Sequence, residues 1–157
     1  MSFKNVDNII IENEGYELQY HFEPVEPEGR DSREFALDDL SEEIKLFNPN
    51  IKEFLVIDSF IVHPAFRGKG VGSKVLKDFC ESYDDKIIFL LAGANTKEYP
   101  EEPPEQELLS ILRRLENFYV NIGFINVNEH IGDYQFKTSF IYENETSKPL
   151  LERLFLK

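Results

Sequence analysis

Phe54-Leu55-Val56-Ile57-Asp58-Ser59-Phe60-Ile61-Val62 runs directly into His63-Pro64-Ala65-Phe66-Arg67-Gly68-Lys69-Gly70-Val71-Gly72-Ser73, and the architecture is read from these two stretches. The first is almost continuously apolar, rich in β-branched residues and bounded by Pro64, the pattern of a central strand buried on both faces. After the glycines, Val71, Val75, Phe79 and Tyr83 step by four with Leu76 and Cys80 alongside. That spacing predicts a helix with one apolar face. Asp84-Asp85 ends it, and Ile87–Leu91 reads as a second short buried strand. A strand, helix, strand unit of this kind is expected to be a parallel, right-handed crossover.

The turn between strand and helix has its own chemistry. Several backbone N–H groups converge where a glycine-rich turn enters a helix N-terminus, and such a nest binds phosphate oxygens. A Cβ at Gly68, Gly70 or Gly72 would hold a diphosphate away from those amides or forbid the φ values that the turn requires. From His63 to Lys77 the chain carries Arg67, Lys69, Lys74 and Lys77 and no acid, inside a protein of net charge −13. An anion is expected there. Three common phosphate loops are excluded: no glycine stands five residues before a Gly-Lys-Ser/Thr, Ser73 occupies the last glycine position of the dinucleotide fingerprint, and the His-Arg-Asp and Asp-Phe-Gly elements of kinases are absent.

Upstream, Asn8–Ile11 and Tyr16–Phe22 read as a hairpin around Glu12–Gly15, Glu23–Arg30 as an exposed loop, and Asp39–Phe47 as a short helix stopped by Asn48-Pro49. Downstream, the proline- and glutamate-rich Glu98–Glu107 is expected to be a solvated lid or connector. Leu108, Ile111, Leu112, Leu115, Phe118, Tyr119 and Ile122 follow at helical spacing, with Gly123 as a left-handed cap. Phe124–Val127 and Tyr134–Tyr142 read as an antiparallel pair with Gly132-Asp133 near the turn. Ser147–Lys157 reads as a last helix capped by Ser147, whose Leu150–Phe155 stripe either covers the sheet or meets a second copy. No internal repeat is present.

The whole chain fits these elements. Its 157 residues, 41% hydrophobic, suit a single domain spanning 1–157, and 14 Phe with seven Tyr and no Trp favour a sheet-containing core. No apolar run reaches a membrane span and no signal segment precedes the first strand, so a cytoplasmic protein is expected. One cysteine excludes an internal disulfide. Seventeen basic against 30 acidic residues repel nucleic acid and anionic membrane, and point to neutral or cationic partners where they do more than keep the chain soluble.

The loop matches R-x-x-G-x-G through Arg67, Gly70 and Gly72, preceded by V-x-P at Val62 and Pro64, and Phe118-Tyr119-Val120-Asn121-Ile122-Gly123-Phe124 matches F-Y-x-x-x-G-F. On these motifs the chain resembles the GNAT superfamily of acyl-CoA-dependent N-acetyltransferases from about Ile57 to Phe124. The resemblance implies an α/β fold with a mixed central sheet, a splayed parallel strand pair and flanking helices. Acetyl-CoA is then the co-substrate, its pantetheine arm bonding the backbone of Ile61 and Val62 and its diphosphate held by Arg67, Gly68, Lys69, Gly70, Val71 and Gly72, with Ser73 adding a hydroxyl. Tyr119 takes the general-acid position, against the alternative of a tyrosine packed in the core. Asp58 takes the position of a base acting directly or through water, or of a substrate contact, against a carboxylate satisfied structurally. Near Leu112 many relatives carry an asparagine that touches the cofactor; that contact is absent here or falls to another residue, with Asn95 the candidate.

An alkyl amine is neutral in only about one part in a few thousand at pH 7, roughly 4 to 5 kcal/mol against attack, so the reaction needs a route for that proton. The leaving thiolate gains from a nearby donor. Cys80 on the apolar helix face reads as core and not as an acyl carrier, and His63 as structural. His21 and His130 stand isolated in sequence, and no metal site is expected. The acidic stretches Glu23–Glu43 and Glu98–Glu107 suggest a cationic acceptor such as a polyamine, an aminoglycoside or a lysine-bearing peptide, or else a solvated surface. The expected activity is transfer of acetyl to a primary amine within a ternary complex, by a monomer or a dimer. The alternative is a non-catalytic acyl-CoA-binding or acidic protein-interaction module on the same fold.

Overall fold

The computed structural model describes residues 8–25, 35–93, 104–131 and 137–156. Strands β1 (Ile9–Glu12), β2 (Tyr16–Pro24), β3 (Glu53–Val62), β4 (Ile88–Gly93), β5 (Phe124–Asn126) and β6 (Lys137–Tyr142) form one mixed sheet in the order β1-β2-β3-β4-β6-β5. Helices are α1 (Phe35–Phe47), α2 (Val71–Glu81), α3 (Glu105–Ile122) and α4 (Lys148–Phe155), with a 3-10 turn over Pro64–Phe66. All pairings are antiparallel except β3 with β4. That parallel pair flanks α2, as the apolar runs predict. No helix among the described residues is long and apolar enough to cross a membrane.

The sheet separates two apolar layers. On one face, Leu37, Leu40 and Ile44 of α1 and Leu150, Leu151 and Leu154 of α4 pack on Phe54, Val56, Phe89 and Ile141. On the other, Leu76 and Cys80 of α2 and Tyr119 and Ile122 of α3 pack on Leu18, Tyr20, Leu55, Ile57, Leu90 and Phe140. The leucine stripe of α4 is therefore spent on the sheet, and only Phe155 of that stripe is half exposed.

The alternation of β3 breaks once. Phe54 and Val56 face α1 and α4, Leu55 and Ile57 face α2 and α3, and strict alternation would then send Phe60 to the α1 side. Phe60 packs instead with the α2/α3 layer. Against β2 the register runs Tyr20↔Ile57 and then Gln19↔Ser59, so Asp58 is an extra residue in a β-bulge. A bulge bends and twists its strand. Pairing of β3 with β4 covers only Leu55↔Ile88, Val56↔Phe89 and Ile57↔Leu90, and stops where the bulge begins. Beyond it the two strands splay, while β4 stays paired to β6 as far as Gly93↔Lys137.

Several expectations need correction. β2 continues through Pro24, and Glu23 is a buried strand residue and not the start of an exposed loop. α1 begins at Phe35, four residues earlier than predicted from Asp39. α3 begins at Glu105, inside the segment assigned to a connector. Ser147 makes no side-chain cap; its hydroxyl donates to the Tyr142 carbonyl at 2.6 Å and ties α4 to the end of β6. Gly123 stops α3 at φ 130°, positive as predicted but wide of the left-handed helical region. Residues 26–30, 94–103 and 132–136, which hold most of the two predicted loops, Asn95 and the Gly132-Asp133 turn, lie outside the described residues.

Candidate active site

A cavity of about 750 Å³ opens where β3 and β4 diverge. Its walls are Asp58 to Val62 of β3, Leu90 to Gly93 of β4, the glycine loop with the first turn of α2, and one side of α3 from Ile111 to Tyr119. Asp58, Ile61, Val62, Arg67, Gly68, Gly70, Val71, Gly72, Ser73 and Tyr119 are thereby brought together around one space. Of the other two residues picked from sequence, Lys69 lies in the loop but not on the cavity wall, and Asn95 is outside the described residues.

The loop has the form that an anion site requires. Gly68 and Gly70 sit at φ 77° and 75°, values that a side chain resists, and an added Cβ at either would meet open space. Gly72 is needed for a different reason: its φ is ordinary, but a Cβ there would stand 2.8 Å from Val62 Cγ2. It lets α2 lie close against the end of β3. Gly70 is the N-cap of α2, no side chain caps that end, and no acid occupies the first turn. The orphan N–H groups of that turn and the positive end of the helix dipole are therefore available at the cavity. Arg67 Nε donates to the Val62 carbonyl at 2.9 Å and pins the loop to the strand end.

Arg114 of α3, not singled out from sequence, also lines the cavity and is exposed. It adds a second guanidinium to the same rim. One helical turn from Ile111 brings Arg114 and Leu115 to the cavity together, a spacing visible only once the facing side of α3 is known.

Tyr119 projects from α3 among Phe118, Phe124 and Phe140, with ring centroids 5.2, 5.7 and 5.5 Å away. Burial pushes its phenol up to about 12, and among the described residues its hydroxyl has no hydrogen-bond partner. The ring is core, as one reading of the sequence expected, while the residue also forms cavity wall. Cys80 is wholly buried and its thiol is pushed up to about 12, first by burial and then by the charge of Glu81. A thiol held neutral in the core does not carry an acyl group.

Asp58 lines the cavity, and its Oδ2 lies 2.6 Å from His21 Nδ1; His21 Nε2 lies 2.8 Å from Glu23 Oε2. Both partners are acceptors when ionised, so both ring nitrogens donate and the imidazole is protonated. Burial lowers its pKa, but the hydrogen bonds and charges of Asp58 and Glu23 together outweigh that and raise it from 6.5 to about 9. His21 is thus not isolated. Sequence reading missed the triad because its members come from two strands and the bulge at Asp58 shifts the register; the remaining signal was the i, i+2 spacing of His21 and Glu23 on one strand face. Among the described residues no cluster of His, Cys, Asp or Glu is arranged to hold a metal ion.

No curated protein matches the chain in sequence. Residues 43–99 match the acetyltransferase (GNAT) family, a segment that contains the bulged strand, the glycine loop, α2 and β4. With the parallel pair at its centre, the glycine turn entering α2 and helices on both faces of a mixed sheet, the architecture is consistent with the GNAT fold, and the match supports membership of that superfamily.

Proposed function

We propose that this protein transfers an acetyl group from acetyl-CoA to a primary amine by direct attack within a ternary complex. The observation that carries the reading is the splay itself: β3 loses β4 as a partner after Ile57, and the resulting cavity has a bare helix N-terminus at one wall and the Tyr119 ring at another. The unpaired edge of β3 from Asp58 to Val62 suits a pantetheine arm bonding as a short added strand. The diphosphate then falls to the amides from Gly68 to Ser73, with Arg67 and Arg114 at the rim.

Nucleophilic attack on the thioester produces a tetrahedral intermediate whose collapse expels a thiolate. Tyr119 remains protonated through the working pH range and supplies a donor for that sulfur. Burial raises a thiolate held beside it in the same direction, so donor and acceptor stay matched. Asp58 receives an N–H of the incoming amine, and the proton departs by that carboxylate or by water.

Thiol release from acetyl-CoA, measured with diamines, aminoglycosides and a lysine-bearing peptide, tests the reading. Turnover with at least one amine is expected, and Tyr119→Phe is expected to lower kcat by about 100-fold with the acetyl-CoA Kd unchanged. Equal kcat in that variant removes Tyr119 from the chemistry. The non-catalytic acyl-CoA-binding alternative predicts heat with acetyl-CoA in calorimetry and no thiol release with any amine. A Tyr119 hydroxyl with no hydrogen-bond partner among the described residues favours the enzyme.

A further inference from the structure

His21 and Glu23 lie on the face of β2 that looks away from the glycine loop. The register sets His21 opposite Val56, which packs in the α1/α4 layer, whereas Tyr20, opposite Ile57, packs in the α2/α3 layer. Tyr119 belongs to the second layer and the triad to the first. Asp58, at the bulge, reaches His21 on one side of the sheet and the cavity on the other. His21 and Glu23 are 8% and 7% exposed, so neither is a surface charge. Asp58 keeps 27% of its side chain open, and among the described residues its Oδ1 has no hydrogen-bond partner.

Of the three members of the triad, the one on the cavity wall is Asp58. Without the imidazolium between them, the buried Glu23 and the partly open Asp58 carboxylates would repel each other. With it, Glu23 holds Nε2, the ring is fixed at both nitrogens, and Nδ1 fixes Asp58 Oδ2. The second oxygen of Asp58 is thereby the one left to meet a ligand.

We infer that His21 and Glu23 are positioning residues that aim Asp58 at the ammonium group of a cationic acceptor in the cavity between β3 and β4. The inference rests on the acetyltransferase reading and adds the residues that select the acceptor. A protonated imidazole with both N–H groups engaged takes no proton from the substrate, so its part is orientation and not base catalysis.

The test uses His21→Gln, whose amide replaces Nε2 and keeps Glu23 while abandoning Asp58, and His21→Asn, whose amide replaces Nδ1 and keeps Asp58. With spermidine as acceptor, His21→Gln is expected to raise the amine KM by about 10-fold while the acetyl-CoA KM stays put, and His21→Asn to recover most of the loss. Thermal melts confirm that both variants fold. Equal amine KM in wild type and His21→Gln, or a parallel rise in both KM values, overturns the positioning role and leaves acetyl transfer standing.

A second readout needs no turnover. In wild-type protein saturated with CoA, both ring N–H resonances of His21 are expected in the 15N spectrum at neutral pH, and spermidine is expected to shift the Nδ1–H signal. No shift overturns the inference. If wild type acetylates no amine and spermidine still shifts that signal, the ammonium site stands and the enzymatic reading falls.

Discussion

At the scale of single residues, the buried imidazolium makes stability depend on pH in a defined direction. His21 titrates near 6.5 in the unfolded chain and near 9 in the fold, so its contribution is complete below about 6.5 and is lost as the pH rises through 9. On the order of 3 kcal/mol separates the two ends of that window. Denaturant melts of wild type are expected to weaken across it, and His21→Gln to flatten the profile; identical slopes in the two proteins would mean the ring is neutral at pH 7. Sequence alone exposed Asp58 because a carboxylate in a run such as FLVIDSFIV demands a partner. It did not expose the partner, since nothing local marks which residue of another strand will face a bulge. Tyr119 was legible for the opposite reason: its position follows from the helix that carries it and the glycine that ends that helix.

Among elements, the contact of α2 with β3 is the most exacting. An alanine at 72 gains helix propensity, worth up to about 1 kcal/mol, but its methyl must displace Val62 Cγ2 from 2.8 Å and crowds Phe118 at 3.4 Å. Gly72→Ala is expected to lose about 1 to 2 kcal/mol in urea unfolding, and Val62→Ala in the same chain to return most of it. Additive losses in the double variant would place the strain elsewhere. The strand, glycine turn and helix were readable because each has a strong local pattern, and the parallel pairing of β3 with β4 followed from the helix between them. The early starts of α1 and α3 were hidden. The first turn of α3 carries Glu105 and Glu107, so its periodicity begins later than the helix does, whereas α1 already buries Ala36 and Leu37 in its first turn, next to the stretch read as loop.

For the molecule as a whole, charge is divided by site. The net charge is −13, yet the loop and helix start that border the cavity hold Arg67, Lys69, Lys74 and Lys77, of which Lys74 is offset by Asp78 at 3.0 Å. An anionic nucleotide approaches a local positive field inside a repelling one, whereas a cationic amine is drawn by the remainder. The association rate of acetyl-CoA is therefore expected to fall less with added salt than that of spermidine, measured by stopped-flow between low and physiological ionic strength. An equal salt dependence would show that the two ligands meet the same field. Both charge domains were visible in the sequence; the cavity beside the basic loop was not, because pairing of β3 with β4 ends at a bulge that no local pattern marks. Asp58 is at once the acid on the cavity wall and the extra residue of the bulge at which pairing of β3 with β4 ends. Deleting that single codon would remove the carboxylate and the bulge together, so the two are inherited as one unit.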